Sequence, residues 1–258
     1  MPHLARILLY PIKSLDAVEV QKAIVLKSSS LEFDREFTIV DEQGRFVNGK
    51  RHAKIQLIRS KFSLENRNIY LQFPNNDSLQ VFNLDTEQLS LAATLSNFFG
   101  FAVTLKQNSV MGFPDDTNSP GPTVISTATL TEVASWFPGV SVDEMRRRIR
   151  ANIEIDGVPA FWEDRLFDAS GETLPFQVGD VVFFGVNPCQ RCVVPTRDSY
   201  LGQADPNFQK IFVQQRQATM PKWVATSRFK TFYSLSVNTI LPTSEAGKVL
   251  KIGDIVKI

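Results

Sequence analysis

The chain holds two cysteines, Cys189 and Cys192, in the run Val186-Asn-Pro-Cys-Gln-Arg-Cys-Val-Val-Pro-Thr-Arg-Asp198. Two thiols at this spacing can serve four chemistries. A structural zinc site needs four ligands, usually two such pairs or added histidines; one pair, with His3 and His52 elsewhere, does not supply them. A thioredoxin-type dithiol opens a helix inside a βαβ unit, whereas this pair precedes the β-branched Val193-Val194 and then Pro195. Cysteines also pack in cores as small hydrophobes, a reading that the adjacent Arg191 and a turn setting weaken. The fourth chemistry is a thiolate ligand to a thiophilic transition metal, which Arg191 and turn N–H groups would favour. The residue types alone do not choose among these. Iron–sulfur clusters, which typically take four cysteines, are excluded by inventory, and no glycine-rich nucleotide fingerprint occurs in its expected context.

The elements that must position the thiols read mostly as short strands. The run from 181 is a buried strand leading into Asn187-Pro188, with a turn following. Upstream, 5–10 is a β-rich run ended by Pro11. Residues 36–41 alternate in strand fashion, turn at 42–44 and return over 45–47, and Asn48-Gly49 is a tight-turn signal. Runs at 55–59, 62–65 and 69–73 continue the pattern, with an Asn, Pro and Asp cluster at 74–77. One helix is expected from Asp85 as N-cap, with Leu91, Leu95 and Phe98 on one face and a stop at Gly100. A second is expected from the capping-box pattern Thr129-Leu-Thr-Glu132, ended by Pro138-Gly139. Residues 112–122 hold three prolines, two glycines and two aspartates, and a linker there divides the chain into units 1–115 and 116–258. Val178-Gly179-Asp180 and Ile252-Gly253-Asp254 form matching tight turns. Many short strands with few helices give a mainly β fold with some α, built from β-barrels rather than a doubly wound sheet. The basic cluster Arg146, Arg147, Arg148 and Arg150 reads as a solvated face.

With 258 residues, 43% of them hydrophobic and 21% charged, the chain has the composition of a soluble globular protein with one or two cores. Its 28 basic and 27 acidic residues leave a net charge of +1, which argues against a general nucleic-acid or anionic-membrane binder. No stretch approaches the roughly 18 apolar residues of a membrane span, and the first residues lack a signal-peptide pattern. A cytoplasmic protein without a membrane anchor is expected, in keeping with the sparse cysteines.

The run Asn-Pro-Cys-Gln-Arg-Cys-Val-Val-Pro-Thr-Arg-Asp resembles the signature of MOSC domains, named for the C-terminal domain of molybdenum-cofactor sulfurase. Other segments agree in order: Tyr10-Pro-Ile-Lys-Ser14, Phe33-Asp-Arg-Glu-Phe37, Ser126-Thr-Ala-Thr-Leu130, Arg150-Ala-Asn-Ile153, Ser236-Val-Asn-Thr239 and Lys251-Ile-Gly-Asp-Ile-Val256. The resemblance covers essentially the whole chain. It implies an N-terminal MOSC-type β-barrel followed by a C-terminal MOSC β-barrel domain with a few helices. It also implies a molybdenum cofactor (Mo-molybdopterin) with Cys192 as metal ligand and catalytic centre. Lys13, Ser14, Arg35, Arg150, Asn152, Arg191 and Thr196 fall where relatives hold the pterin and its phosphate, and charge-assisted bonds from Arg or Lys suit that phosphate. Two departures stand out. Relatives usually have Arg-Pro-Asn where this chain has Arg150-Ala-Asn152, and a Thr-Gln-Arg-like segment where it has Asn48-Gly-Lys-Arg51, so Lys50 and Arg51 compete for one basic role.

Amidoxime-reducing proteins are the functional relatives that the resemblance points to. They imply reduction of small N-hydroxylated substrates, with electrons from a separate ferredoxin, flavoprotein or cytochrome. The alternative is a non-catalytic carrier of cofactor or sulfur, with a Cys192 persulfide formed by a pyridoxal-phosphate desulfurase in trans. A third class, a β-barrel interaction module without cofactor, would leave Cys192 dispensable.

Overall fold

Runs of β-branched and aromatic residues, cut every few positions by Gly, Pro, Asn and Asp, favour short strands. The computed structural model describes residues 1–74, 76 and 78–258 and turns these runs into a mainly β chain. The Asn75 and Asp77 part of the expected turn cluster lies outside the described residues. The first half runs β1 (His3–Leu9), β2 (Val18–Val20), β3 (Lys22–Ile24), β4 (Phe37–Asp41), β5 (Arg59–Ser63), β6 (Asn68–Gln72), β7 (Gln80–Asn83), α1 (Gln88–Phe99) and β8 (Val103–Gln107). Then come β9 (Val124–Ser126), α2 (Thr127–Ser135), α3 (Val142–Ile149), β10 (Ile153–Asp156), β11 (Leu174–Val178) and β12 (Val181–Gln190). The chain closes with α4 (Phe208–Thr219), β13 (Ser234–Ile240), β14 (Val249–Lys251) and β15 (Val256–Lys257).

The large sheet has the order β15-β11-β12-β13-β9-β10-β1-β2, while β4-β8 and β5-β6-β7 form smaller sheets. Strand β1 lies antiparallel to β10, with Ile7 opposite Ile153, and β3 lies antiparallel to β14. The first three strands therefore complete sheets of the second half. The large ladder is open in strand order, yet its two ends meet. Leu4 N donates to Asp254 O at 2.8 Å, Val256 N donates to Pro2 O at 3.0 Å, and His3 forms an isolated bridge with Ile255.

Three apolar clusters hold these layers. Leu4, Ile7, Val124, Ile153, Phe183 and Val237 fill the large sheet. Ile12, Phe37, Ile39, Ile55, Leu91 and Leu95 pack the smaller sheets against α1. Leu130, Val133, Met145, Ile149, Phe208 and Phe212 join α2, α3 and α4. In the last cluster Phe137 and Phe208 stack at 4.2 Å with planes 9° apart, worth about 1 kcal/mol beyond burial.

The mainly β class with few helices stands, and several local expectations shift. Helix α1 starts at Gln88 without a side-chain cap; Asn83 Oδ1, rather than Asp85, accepts the turn N–H groups of Asp85 and Thr86. The cap of α2 is Ser126, three residues before the expected Thr129, whose N–H it accepts at 3.1 Å. Asn187-Pro188 does not end the strand. Strand β12 continues to Gln190 because ladder irregularities on both sides of Asn187-Pro188 accommodate the missing proline N–H. Gly185, just before them, admits the 3-10 turn Trp162–Leu166: a Cβ there would lie 1.8 Å from Leu166 O. The two Gly-Asp turns touch each other, since a Cβ on Gly179 would meet the Asp254 carboxylate at 2.7 Å.

Beside the third cluster, Arg216 is 1% exposed, pairs with Asp164 and lies 4.1 Å over the Phe161 ring. Neighbouring Glu163 is buried with Oε2 accepting from Thr129 Oγ1 and Oε1 unpartnered. Burial, then the Asp164 charge, push Glu163 from its ordinary value of 4.5 up to about 7. Between those values the folded state keeps a proton that the unfolded state has released. The contribution is thus complete below the unfolded value and is lost as pH rises through the folded one. The thermal midpoint should fall between about pH 5 and about pH 8, and Glu163→Gln should flatten that fall; an unaltered slope in the variant would rule this origin out. Gly185→Ala should cost at least about 2 kcal/mol, the scale of overpacking, seen as a lower urea midpoint at constant m value.

Candidate functional site

The segment after β1 crosses from the large sheet to the small one and sets the position of the site. Tyr10 N donates to Asp34 Oδ1 at 2.9 Å, Phe37 N to Pro11 O at 2.9 Å, and Lys13 N to Phe37 O at 2.8 Å. Beside this crossing opens a cleft of about 440 Å3, within the range of small-molecule sites. It is lined by ten basic side chains against four carboxylates, although the whole chain carries only +1. The cleft's cation surplus thus exceeds the net charge of the whole chain, and the rest of the chain is net acidic.

Three of its lining residues, Ser14, Arg35 and Arg150, have left-handed backbone, with φ of 75°, 51° and 60°. Each such non-glycine residue costs roughly 1–2 kcal/mol, a strain that clusters at functional positions. Arg150 is the C-cap of α3, its N–H donating to Arg146 O. The helix begins with Ser141 Oγ accepting from Glu144 N at 3.1 Å. Its acidic first turn and basic last turn both suit the helix dipole. Arg35 and Arg150 flank the buried Tyr10 ring at 5.1 and 4.2 Å. Arg150 Nη2 donates to Leu15 O at 2.7 Å, and among the described residues it has no carboxylate partner.

Asn152 is 1% exposed. Its Nδ2 donates to Leu8 O at 3.0 Å, and its Oδ1 accepts from Arg35 Nη1 and Thr123 N at 3.3 Å each. Lys13 Nζ donates to Phe113 O at 2.8 Å and Pro114 O at 3.2 Å, and meets Asp115 Oδ1 at 2.8 Å. Lys50 Nζ stands 3.8 Å from the same oxygen. Burial lowers the Lys13 ammonium despite the opposing pull of Asp115. Crowding by the cleft wall would raise the Asp115 carboxyl, whose outer face stays open to solvent, but Lys13 and then Arg35 hold it well below the usual carboxylate range.

Strand β12 delivers the half-buried Cys189 and the loop after it delivers Cys192, and both line the cleft. Arg191 Nη1 donates to Cys189 Sγ at 3.3 Å and Nη2 donates to Ile149 O, while its Nε is buried without a partner. The arginine therefore serves Cys189, not Cys192. Glu144 fastens the following loop to α3: it accepts from Arg148 Nε at 2.7 Å and from Ser199 N at 2.8 Å, and also from Ser199 Oγ.

The structure brings Lys13, Ser14, Arg35, Arg150, Asn152, Arg191 and Cys192 together around the cleft. Thr196 is not among the lining residues; its Oγ1 donates to Val193 O at 2.7 Å and secures the 3-10 turn Val194–Thr196. Asp198 is a turn residue accepting from Tyr200 N and Leu201 N. Of the two basic candidates after Gly49, Lys50 lines the cleft and Arg51 does not. The solvated-face reading of 146–150 is corrected. Arg148 is 5% exposed and Arg146 pairs with buried Glu154, because α3 packs its basic last turn against the sheet and the cysteine loop. The Ser141-x-x-Glu144 capping box is the sequence signal for that helix. Sequence reasoning did not find Arg59, Arg147, Arg228 or Lys230 as lining residues; for Arg228 and Lys230 no local pattern points there.

Among the described residues no three His, Cys, Asp or Glu side chains gather as a metal cage. A metal on Cys192 would have to bring its other ligands with it. No helix among the described residues is long and apolar enough to cross a membrane.

Interleaved β units with a cation-rich, thiol-bearing cleft at their seam define the class of protein. The chain belongs to the MOSC domain family: the MOSC N-terminal beta barrel domain matches residues 1–109 and the MOSC domain matches residues 123–257. Molybdenum cofactor sulfurase of Homo sapiens is 25% identical over 259 residues, covering 81% of this chain and 28% of that protein. That of Caenorhabditis elegans is 24% identical over 226 residues, covering 80% and 30%. Molybdenum cofactor sulfurase 3 of Aedes aegypti is 38% identical over 84 residues, covering 33% and 11%. The chain spans less than a third of the length of these curated relatives.

Replacing Glu144 by Ala would leave the buried Arg148 with only its 3.5 Å contact to Asp198 and release Ser199. The expected loss is about 3 kcal/mol, the scale of breaking a buried ion pair, read from urea unfolding, together with faster amide exchange over residues 193–203.

Proposed function

We propose that the chain binds a molybdenum cofactor in the cleft, with Cys192 as the metal's protein ligand, and reduces small N-hydroxylated compounds. The carrying observation is the meeting of a cleft thiol with a surplus of cations, including the buried, unpartnered Arg191 Nε. An anionic, metal-bearing pterin that supplies its own sulfur ligands fits a donor set of two cleft thiols, of which Cys189 is engaged by Arg191, with no protein cage among the described residues. Lys13, Arg35 and Arg150 would neutralise the phosphate, and Ser14 would offer a neutral hydrogen bond. Asn152, whose amide is already committed, acts by fixing Arg35. Thr196 holds the cysteine loop in shape and touches no ligand. When bound, the cofactor supplies two-electron redox chemistry for N–O cleavage, two electrons and two protons converting an N-hydroxy group to N–H and water. The electrons would come from a separate ferredoxin, flavoprotein or cytochrome.

A second reading, a Cys192 persulfide carrier working with a pyridoxal-phosphate desulfurase, is supported by the relatives' being molybdenum cofactor sulfurases. The two readings separate experimentally. Under the reductase reading, native protein contains molybdenum, Cys192→Ser loses at least about nine-tenths of it, and the loaded protein turns over an amidoxime with a reduced dye. Molybdenum-free native protein that accepts sulfur on Cys192 would replace the first reading by the second.

A further inference from the structure

Seven residues of the 111–121 segment line the cleft, among them Met111, Pro114, Asp115 and Asp116. The segment is pinned at two glycines. Gly112 has φ of 68°, and a Cβ there would lie 2.5 Å from Asp34 O; a Cβ on Gly121 would lie 2.5 Å from Thr239 O. Between these pins, side-chain acceptance of Lys13 comes wholly from the segment itself: two carbonyls, at Phe113 and Pro114, and the Asp115 carboxylate. Lys13 is 6% exposed, so its ammonium has exchanged water for this strap. The Asp115 side chain remains 60% exposed. It touches the cations from the open side of the cleft, the side from which a dissolved anion would arrive.

We infer that Asp115 is a built-in competitor for the anion subsite formed by Lys13 and Lys50, and that the cost of displacing it sets an affinity threshold that dianions clear and monoanions do not. The inference rests on the reading of the cleft as a phosphate-holding ligand site. A monoanion that displaces Asp115 replaces one negative charge with another and gains little. A phosphate monoester brings two charges and more acceptor oxygens, so it gains where a monoanion does not. Displacement frees the 113–116 stretch, while the glycine pins at 112 and 121 hold its ends. Asp115 thereby acts on ligand choice without contacting the bound ligand.

Methyl phosphate and dimethyl phosphate are the probes, at about pH 8, where the first is a dianion because a phosphomonoester's second pKa is near 6. Calorimetry on the wild-type chain should show binding of methyl phosphate and none of dimethyl phosphate. In Asp115→Asn, methyl phosphate should bind at least tenfold tighter (the marker of a lost competitor, about 1.4 kcal/mol), and dimethyl phosphate should become measurable. Equal or weaker methyl phosphate binding in the variant overturns the inference. A second measurement needs no variant: saturating methyl phosphate should speed amide exchange at 113–116 in the wild-type chain, leaving 124–126 unchanged. Exchange at 113–116 that stays the same or slows also overturns it. If neither protein binds methyl phosphate, the phosphate-holding reading of the cleft fails, and the inference with it. If both bind it equally, only the role of Asp115 fails.

Discussion

One buried amide ties the functional region together. Asn152 gives its N–H to the β1 strand at Leu8 and takes N–H groups from Arg35 and Thr123. These partners belong to the opening strand, to the turn before β4 and to the start of β9. A buried amide must fill its donors and acceptors or lose the cost of desolvation, so all three segments are drawn to one point. The crossing segment at Tyr10, the strained turn at Arg35 and the cap at Arg150 then face the same space. Without that point the large sheet and the small sheet would still have cores, but the cleft between them would have no fixed floor.

The floor is costly to maintain. Three non-glycine residues hold left-handed backbone there, and many guanidinium groups stand close together. The compensation comes from uncharged acceptors as much as from ion pairs: Arg150 rests on Leu15 O, and Arg228 on Asp168 O and Val186 O. Carbonyl acceptors fix a guanidinium without cancelling its charge, so the field in the cleft survives. Elsewhere the chain pairs its charges directly, as Arg67 does with Glu36 and Asp85. Charge is left over where the neighbours are neutral acceptors, and it is spent where they are acids.

Much of this was legible in the residues, and the failures have physical causes. The strand-rich pattern, the Gly100 stop of α1 and the Cys189–Cys192 run follow from local rules, since turn residues and β-branched runs act at short range. The cap of α2 was misplaced because Ser126 and Thr129 can both cap, and only tertiary packing, with Thr129 turned toward Glu163, decides between them. Helix α3 was hidden by its own charges: Arg146, Arg147 and Arg148 read as solvent-facing until Glu144 of the same helix, Glu154 of β10 and Ser199 of a distant loop are in place. The family resemblance located Lys13, Arg35 and Arg150, which no local pattern distinguishes from surface charges. It could not separate Thr196, a loop fastener, from residues that face the cleft.

The pairing of β1 with β10 has a bearing on how the chain is made. His3 sits opposite Asp156 and Ile7 opposite Ile153, so β1 waits for a partner made about 150 residues later. Residues 254–256 must arrive too, because Pro2 and Leu4 bond to Val256 and Asp254. Contacts so distant in sequence close late. During synthesis the small sheet and α1 can form early, while β1, with only β2 beside it, keeps its other edge open until β10 is made. The seam on which the cleft depends is therefore among the last parts of the described fold to assemble, because it waits for residues 254–256 to meet residues 2–4.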